Sequence, residues 1–380
     1  MIPLTDIIIV KSDPIKNQSS IRAMQIFKSL SKKYRTIALG WDRQSKSIEL
    51  DEHDKNLELF NLKAPYGYEP HGAIRLMASF PVFWTWIFVK LCIHRPKTIH
   101  ACDLATIFPC YLYKLIFRKK LVFDVLDRYG MTYVPKDRNL FFRIFYFAVN
   151  YFEEGFAKHS DVLVTVTDKM FLSFRKKPRN CIAIMNCPED HLISGVKLET
   201  TGFKLLFTGA IRRGRGLETL CDIVSNLNDT HLIITGKIKN AELKDRVDQI
   251  SNIEYRGFLD RKELLDLEIS CDVMIALYDL NIQSQYHYGM ANKVLEAMMC
   301  GLPIITNISH ELVNETNCGI VVEYENVQQI TDAIATLRDN PKLRTFYGTN
   351  GRKAFLEKYN WTRMEQILYG TYDELLQSRG

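Results

Sequence analysis

The sequence predicts an α/β protein built from two doubly wound parallel-sheet domains. Short, wholly apolar runs alternate with helical patterns along most of the chain, as expected of strands buried on both faces and the helices that cover them. The alternation stops at a polar stretch, PEDHLISGVKLETTG at residues 188–202, and restarts at Phe203. A length of 380 residues is long for one domain and comfortable for two.

Composition narrows the class. Hydrophobic residues at 47% and charged residues at 25% describe an ordinary globular chain and exclude a disordered one. The net charge of +6 conceals an asymmetry. Residues 1–195 hold 29 Lys+Arg against 19 Asp+Glu, giving +10, and residues 196–380 hold 21 against 25, giving −4. A basic amino-terminal half calls for an anionic partner: a membrane surface, a lipid phosphate or nucleic acid. Nucleic acid is disfavoured, because the aromatics cluster in apolar stretches and are not interleaved with the charges. Nine cysteines without a CxxC pair argue against zinc and against a disulfide framework, and suit a reducing cytoplasm. MIPLTDIIIV reads as a strand and not as a secretion signal.

In chain order, Ile7 to Val10 is the first strand and Lys11-Ser12-Asp13-Pro14 its loop. Ser19 or Ser20 caps a helix through about Tyr34, with Ile21, Met24, Phe27 and Leu30 on one face, and Thr36 to Leu39 is the second strand. This unit starts a doubly wound sheet, whose ligands bind outside the carboxyl ends of the strands. No GxGxxG follows the first strand, so a dinucleotide-binding dehydrogenase is unsupported. Residues 41–72 are polar and read as loop-rich. Residues 73–92 and 138–156 are two aromatic, basic-flanked helices that either pack in the core or lie in a membrane interface; Pro81 and a short uncharged run speak against spanning. Strands at Thr98–His100 and Leu121–Val125 deliver His100, Asp103, Asp124 and Asp127 to the ligand-binding edge. Val162–Val166 and Ile182–Ile184 complete the first sheet.

The second half opens with the strand Phe203–Phe207 and the loop Thr208 to Leu217, TGAIRRGRGL. Its three glycines let backbone approach a phosphate closely, and Arg212, Arg213 and Arg215 supply forked donors. Strands at His231–Thr235 before Gly236, and at Ile253–Leu259 with Arg256, Gly257 and Phe258, continue the pattern. Asp272–Leu277 enters the loop Tyr278–Met290. Then comes YGMANKVLEAMMCGLPIITN, Tyr288 to Asn307. Asn292 is placed to cap its helix, Val294, Leu295, Met298 and Met299 form an apolar face, Gly301 ends it, and Ile304–Thr306 is a strand. A helix amino terminus after a loop is an anion site, and Lys293 and Glu296 share one helix face.

This last stretch resembles the carboxyl-terminal signature of glycosyltransferase family 4, on Asn292, Lys293, Glu296, Ala297, Met298, Gly301 and Pro303. Three further segments resemble the family more loosely. They are HACDL with LVFDVLDRYG in the first half, Asn186-Cys187-Pro188 at its close, and Gly209 with Arg215-Gly216 after the linker. The resemblance implies the GT-B fold, with two Rossmann-like domains facing a central cleft. It divides the chain into an acceptor-binding domain at 1–188, a hinge at 189–202, a donor-binding domain at 203–360, and a terminal helix at 361–380 that crosses back. It implies a retaining transferase in which Glu296 binds the ribose hydroxyls of a UDP- or GDP-sugar. Arg215, with Arg212 or Arg213, Lys293 and the helix amides near Asn292, stabilises the leaving diphosphate. Gly209, Gly236, Arg256, Gly257 and Phe258 border the nucleotide. A family glutamate contacting the donor sugar is replaced here by Tyr288. On the acceptor side the resemblance points to Asp127 first and Asp124 second, with His100 and Asp103 nearby. Front-face attack lets the departing phosphate oxygen help remove the acceptor proton, so Asp127 orients the hydroxyl.

No cofactor is implied, and no Asp-x-Asp clamp calls for a divalent metal. The expected acceptor is a saccharide or a lipid-linked saccharide, met in the cytoplasm or at the cytoplasmic face of a membrane by a peripheral contact. Two other classes compete: another GT-B enzyme such as a nucleotide-sugar epimerase, and a non-catalytic nucleotide-sugar-binding protein.

Overall fold

The computed structural model describes residues 5–13, 15, 21–42, 58–63, 73–134, 139–192, 202–238, 240–282, 286 and 290–377. The chain divides into two compact units, residues 1–185 with 364–380, and residues 186–363.

The first unit runs β1 (Ile7–Val10), α1 (Ile21–Ser31), β2 (Thr36–Asp42), β3 (Glu58–Lys63), α2 (Ala73–His94), β4 (Thr98–Cys102), α3 (Leu104–Phe117), β5 (Lys120–Val125), α4 (Tyr129–Tyr133), α5 (Leu140–His159), β6 (Val162–Thr165), α6 (Asp168–Leu172) and β7 (Asn180–Ala183). Among the described residues its seven strands are parallel, in the order β3-β2-β1-β4-β5-β6-β7. Strands β1, β4 and β6 are buried at every position, which is why they read as continuous apolar runs. Strand β3 corrects the expectation of loop across 41–72. It lies at the sheet edge and its sequence, ELFNLK, mixes polar and apolar residues, so no such run marks it. Ser19 and Ser20 lie outside the described residues, as does Arg138 ahead of α5.

The second unit runs β8 (Phe203–Thr208), α7 (Leu217–Ser225), β9 (Thr230–Thr235), α8 (Ala241–Gln249), β10 (Ile253–Tyr255), α9 (Arg261–Ser270), β11 (Val273–Ala276), α10 (Asn292–Cys300), β12 (Ile304–Thr306), α11 (His310–Thr316), β13 (Gly319–Val321), α12 (Val327–Asp339) and α13 (Pro341–Glu357). Among the described residues its six strands are also parallel, ordered β10-β9-β8-β11-β12-β13. Leu205, Phe207, Val273 and Ile275 pack with Leu220, Val224, Ile330 and Ile334 of the covering helices in one core. A final helix, α14 (Trp361–Gln377), belongs from Met364 onward to the first unit.

Both sheets reverse their strand order once, between β1 and β4 in the first and between β8 and β11 in the second. At such a switch point neighbouring crossovers leave in opposite directions, which opens a crevice at the carboxyl ends of the strands. Among the described residues no helix is long and apolar enough to cross a membrane.

Candidate functional site

The switch point of the second sheet gathers the phosphate-binding candidates. Gly209 follows β8 with φ 110°, and its N–H donates to the Thr235 carbonyl at 3.0 Å. A methyl group there would lie 3.1 Å from Lys293 Cε, and 3.8 Å from both Lys293 Nζ and Arg215 Nη2. The two cations therefore converge on bare backbone, which only glycine leaves open. Arg215 is buried. Its guanidinium stacks 4.1 Å over the Tyr278 ring at the end of β11, and its Nη2 donates to the Tyr278 hydroxyl at 3.1 Å. Its Nε meets no acceptor among the described residues, so this buried cation keeps a donor in reserve. Arg212 and Arg213, by contrast, are exposed.

Helix α10 supplies the rest. Its backbone starts at Ala291, not at the expected Asn292: Ala291 is the cap residue, with no side-chain cap, and Asn292 is the first helical residue, exposed to solvent. The Val294 N–H is held by the Ala291 carbonyl at 3.1 Å. The next turn puts Lys293 Nζ 2.6 Å from Glu296 Oε2. Arg261 of α9 approaches Glu296 Oε1 at 3.5 Å. Behind them lies Glu268 of α9, buried, accepting from Cys300 Sγ at 3.4 Å through one oxygen while the other has no partner among the described residues. Burial, and next the Glu296 carboxylate, push Glu268 up to about 7.

Gly236, after β9, has φ 131° and donates to the Gly257 carbonyl at 2.7 Å, which also accepts from Thr235 Oγ1 at 2.8 Å. Arg256 turns outward to Glu254 at 2.7 Å, and Phe258 is 71% exposed. Neither joins the Gly209–Arg215–Lys293 cluster by a contact in this structure. Tyr288 lies outside the described residues, with Ser284, His287 and Gly289.

The first sheet's switch point carries a separate charged cluster. Lys11 after β1 is ion-paired with Asp103 after β4, both buried. Burial opposes the Lys11 charge, but Asp103 outweighs it and holds the ammonium above its ordinary range. Asp124, expected to face an acceptor, is instead fully buried with both oxygens engaged. Arg22 of α1 reaches Oδ1 at 2.7 Å and Oδ2 at 3.2 Å, and His100 Nε2 lies 3.1 Å from Oδ2. Burial alone would raise this carboxyl, yet Arg22 and His100 hold it well below the usual carboxylate range. His100 Nδ1 meets the Tyr372 hydroxyl at 2.6 Å, so both ring nitrogens are used. His100, Cys102 and Asp124 offer atoms within 4.8 Å of one another, a spacing that suits a metal, but the cation seated on this carboxylate is the Arg22 guanidinium. Asp127 lies half-buried in the turn between β5 and α4.

The motif reading misses Arg22, Tyr278 and Glu268. Arg22 and Glu268 are signalled only as charges next to apolar helix positions, Ala23 and Leu267. Tyr278 is signalled only by its place at a strand end.

Residues 202–340 match the family described as "Glycosyl transferases group 1". An uncharacterized glycosyltransferase of Methanocaldococcus jannaschii is 26% identical over 178 residues, 45% of this chain and 48% of its own length. The chain thus spans about half the length of the curated relatives it matches. Sucrose-phosphate synthase of Thermosynechococcus elongatus superimposes with a TM-score of 0.78 at 15% identity, covering 98% of this chain and 100% of that one. Anabaena HepE, solved in complex with UDP, does so with a TM-score of 0.71 at 13% identity, covering 97% and 100%. These likenesses fix the architecture as the two parallel-sheet, Rossmann-like units of the GT-B fold, and the likeness to the group 1 glycosyl transferases is carried by residues 202–340.

Proposed function

We propose that the chain is a retaining glycosyltransferase of family 4 that moves a hexose-type sugar from a UDP- or GDP-sugar to a saccharide or lipid-linked saccharide during surface glycan assembly. The observation that carries this is the convergence of Lys293 and Arg215 on Gly209, beside Glu296. A departing nucleoside diphosphate develops negative charge on its terminal phosphate. Two cations held in place before the reaction stabilise that charge without reorganising, and the buried Arg215 does so in a low-dielectric setting. The Lys293–Glu296 pair is the resting state of the site. A phosphate draws the ammonium away, and the freed carboxylate accepts from the ribose hydroxyls. Asp127 orients the acceptor hydroxyl, and the proton leaves on the phosphate oxygen. Fixed cations take the part that a divalent metal plays elsewhere, so no metal is required. HepE, a protein of similar architecture, is solved in complex with UDP, which supports a nucleotide ligand for this chain.

The test is turnover. UDP- and GDP-hexoses are incubated with the protein and a detergent-dispersed extract of lipid-linked saccharides, and release of nucleoside diphosphate is followed. Release should depend on the extract, survive EDTA, and fall about 100-fold or more in Arg215→Ala. Consumption of the donor without any acceptor would point to epimerisation or hydrolysis and contradict the reading.

A further inference from the structure

Helix α5 is turned inside out. Its buried residues are Glu153 and Ala157, whereas Leu140, Ile144, Phe147 and Tyr151 form an exposed stripe at helical spacing, flanked by exposed Phe141 and Phe152. Their exposures run from 54% to 71%. A buried ion pair anchors the inner face. Glu153 Oε2 accepts from Arg128 Nε at 2.6 Å and Oε1 from the Tyr129 N–H at 3.0 Å, while the Arg128 guanidinium stacks 3.8 Å over Phe174. Anchoring Glu153 inward fixes the roll of the helix and sends the aromatic stripe to solvent. A helix that served only the core would face the other way.

The surroundings are cationic. Arg143 and Lys158 on α5 and Arg175, Lys176 and Lys177 after α6 are exposed, and Lys176 Nζ lies 5.3 Å from the Tyr151 ring. A cavity of about 800 Å³ is lined by Ile144, Phe147, Tyr151 and Phe152 together with Arg175 and Lys176. Helix α3, which meets α5 where the Tyr111 and Phe156 rings lie 5.5 Å apart, also exposes Phe108, Leu115 and Ile116.

We propose that the outer face of α5 with the basic turn 175–177 is a docking surface for an anionic lipid bilayer, entered to interfacial depth. Apolar side chains at the centre and cations around them match the layered chemistry of acyl chains beneath anionic headgroups. A second copy fits less well, because a twofold contact through this face would gather Arg175, Lys176 and Lys177 of both copies into one interface. Docking deepens the proposed function and rests on it only for its purpose: α5 starts at the carboxyl edge of the first sheet, the edge that carries Asp127, so a lipid-linked acceptor would be presented where that carboxylate lies.

The test is co-sedimentation of the full chain with vesicles of phosphatidylcholine alone or mixed equally with phosphatidylglycerol, in low and high salt. The wild type should pellet with the mixed vesicles and bind them at least about tenfold more tightly than neutral ones, the preference shrinking in high salt. Ile144→Glu with Tyr151→Glu should abolish pelleting, and Lys176→Glu with Lys177→Glu should remove the preference for anionic vesicles. Circular dichroism and nucleotide-induced stabilisation should match wild type in both. A wild type that stays in the supernatant overturns the proposal. So does a dimer in sedimentation velocity that Ile144→Glu with Tyr151→Glu dissociates, which would assign the face to a second copy. Vesicle binding without nucleotide binding would leave the docking surface standing and remove the transferase reading.

Discussion

Arg22 and Asp124 are 102 positions apart in sequence and share a fully desolvated bond. Removing one partner of such a pair strands the other charge in the core. Arg22→Ala should therefore cost about 3–5 kcal/mol, read as a lower urea midpoint. The pH response follows from the sign. Asp124 is held below its unfolded range, so its contribution is full above that range and is lost as pH falls through the folded value; the variant should start to unfold at higher pH than wild type. Glu268 has the opposite sign. Its raised value means that the folded state keeps a proton that the unfolded state releases, so stability falls between about pH 4.5 and 7. Glu268→Gln should flatten that fall and gain on the order of 1–3 kcal/mol at pH 8, measured by thermal melts across pH. These residues also mark the limit of legibility. Lys293 and Glu296 stand out because a fixed spacing on one helix carries them. Asp124 does not reveal its burial, because a strand-end carboxylate reads the same whether it faces a ligand or an arginine from a distant helix.

At the scale of elements, the strands were legible as apolar runs because both faces of each sheet are covered, and the edge strand β3 was not, for want of such a run. Helix α5 was legible as a helix, but its orientation was not: periodicity shows that an apolar face exists, and long-range contacts such as the buried Arg128–Glu153 pair set which way it points. The loops after β8 and β9 touch so closely that a methyl group on Gly236 would lie 1.9 Å from the Gly209 carbonyl oxygen, at a φ of 131° that side chains avoid. Gly236→Ala should therefore cost about 2 kcal/mol or more and weaken nucleotide binding with it, because Gly209, on which Lys293 and Arg215 converge, must shift. Thermal melts with and without UDP or GDP separate the two effects.

On the scale of the whole molecule, the chain returns to its first unit through α14. Tyr372 bonds His100 at 2.6 Å, Tyr34 bonds Asp373 at 2.7 Å, and Tyr369 bonds the Ser29 carbonyl at 2.8 Å. Leu368, Tyr372 and Leu375 are buried there. Deleting residues 364–380 should lower the stability of the first unit by about 3 kcal/mol or more and leave residues 203–340 protected, as read by hydrogen exchange unit by unit. The two-unit plan was legible from the polar break before Phe203, whereas the return of a carboxyl-terminal helix to the first unit, a long-range contact that no local pattern encodes, was expected only from the family resemblance. The charge difference between the halves, +10 against −4, belongs to this scale too, and it is the amino-terminal half that bears the cationic, aromatic face.

The measurement that bears most directly on the donor site is a thermal-shift titration of wild type and Glu296→Ala with UDP, GDP, ADP and their sugar conjugates. At about 100 times its dissociation constant a ligand adds about 2.7 kcal/mol, a shift of several degrees. One nucleotide series should stabilise the wild type, and Glu296→Ala should lose most of that gain while melting normally without ligand. Stabilisation by none of them, or an equal shift in both proteins, would contradict a nucleotide-sugar site at Gly209, Arg215, Lys293 and Glu296.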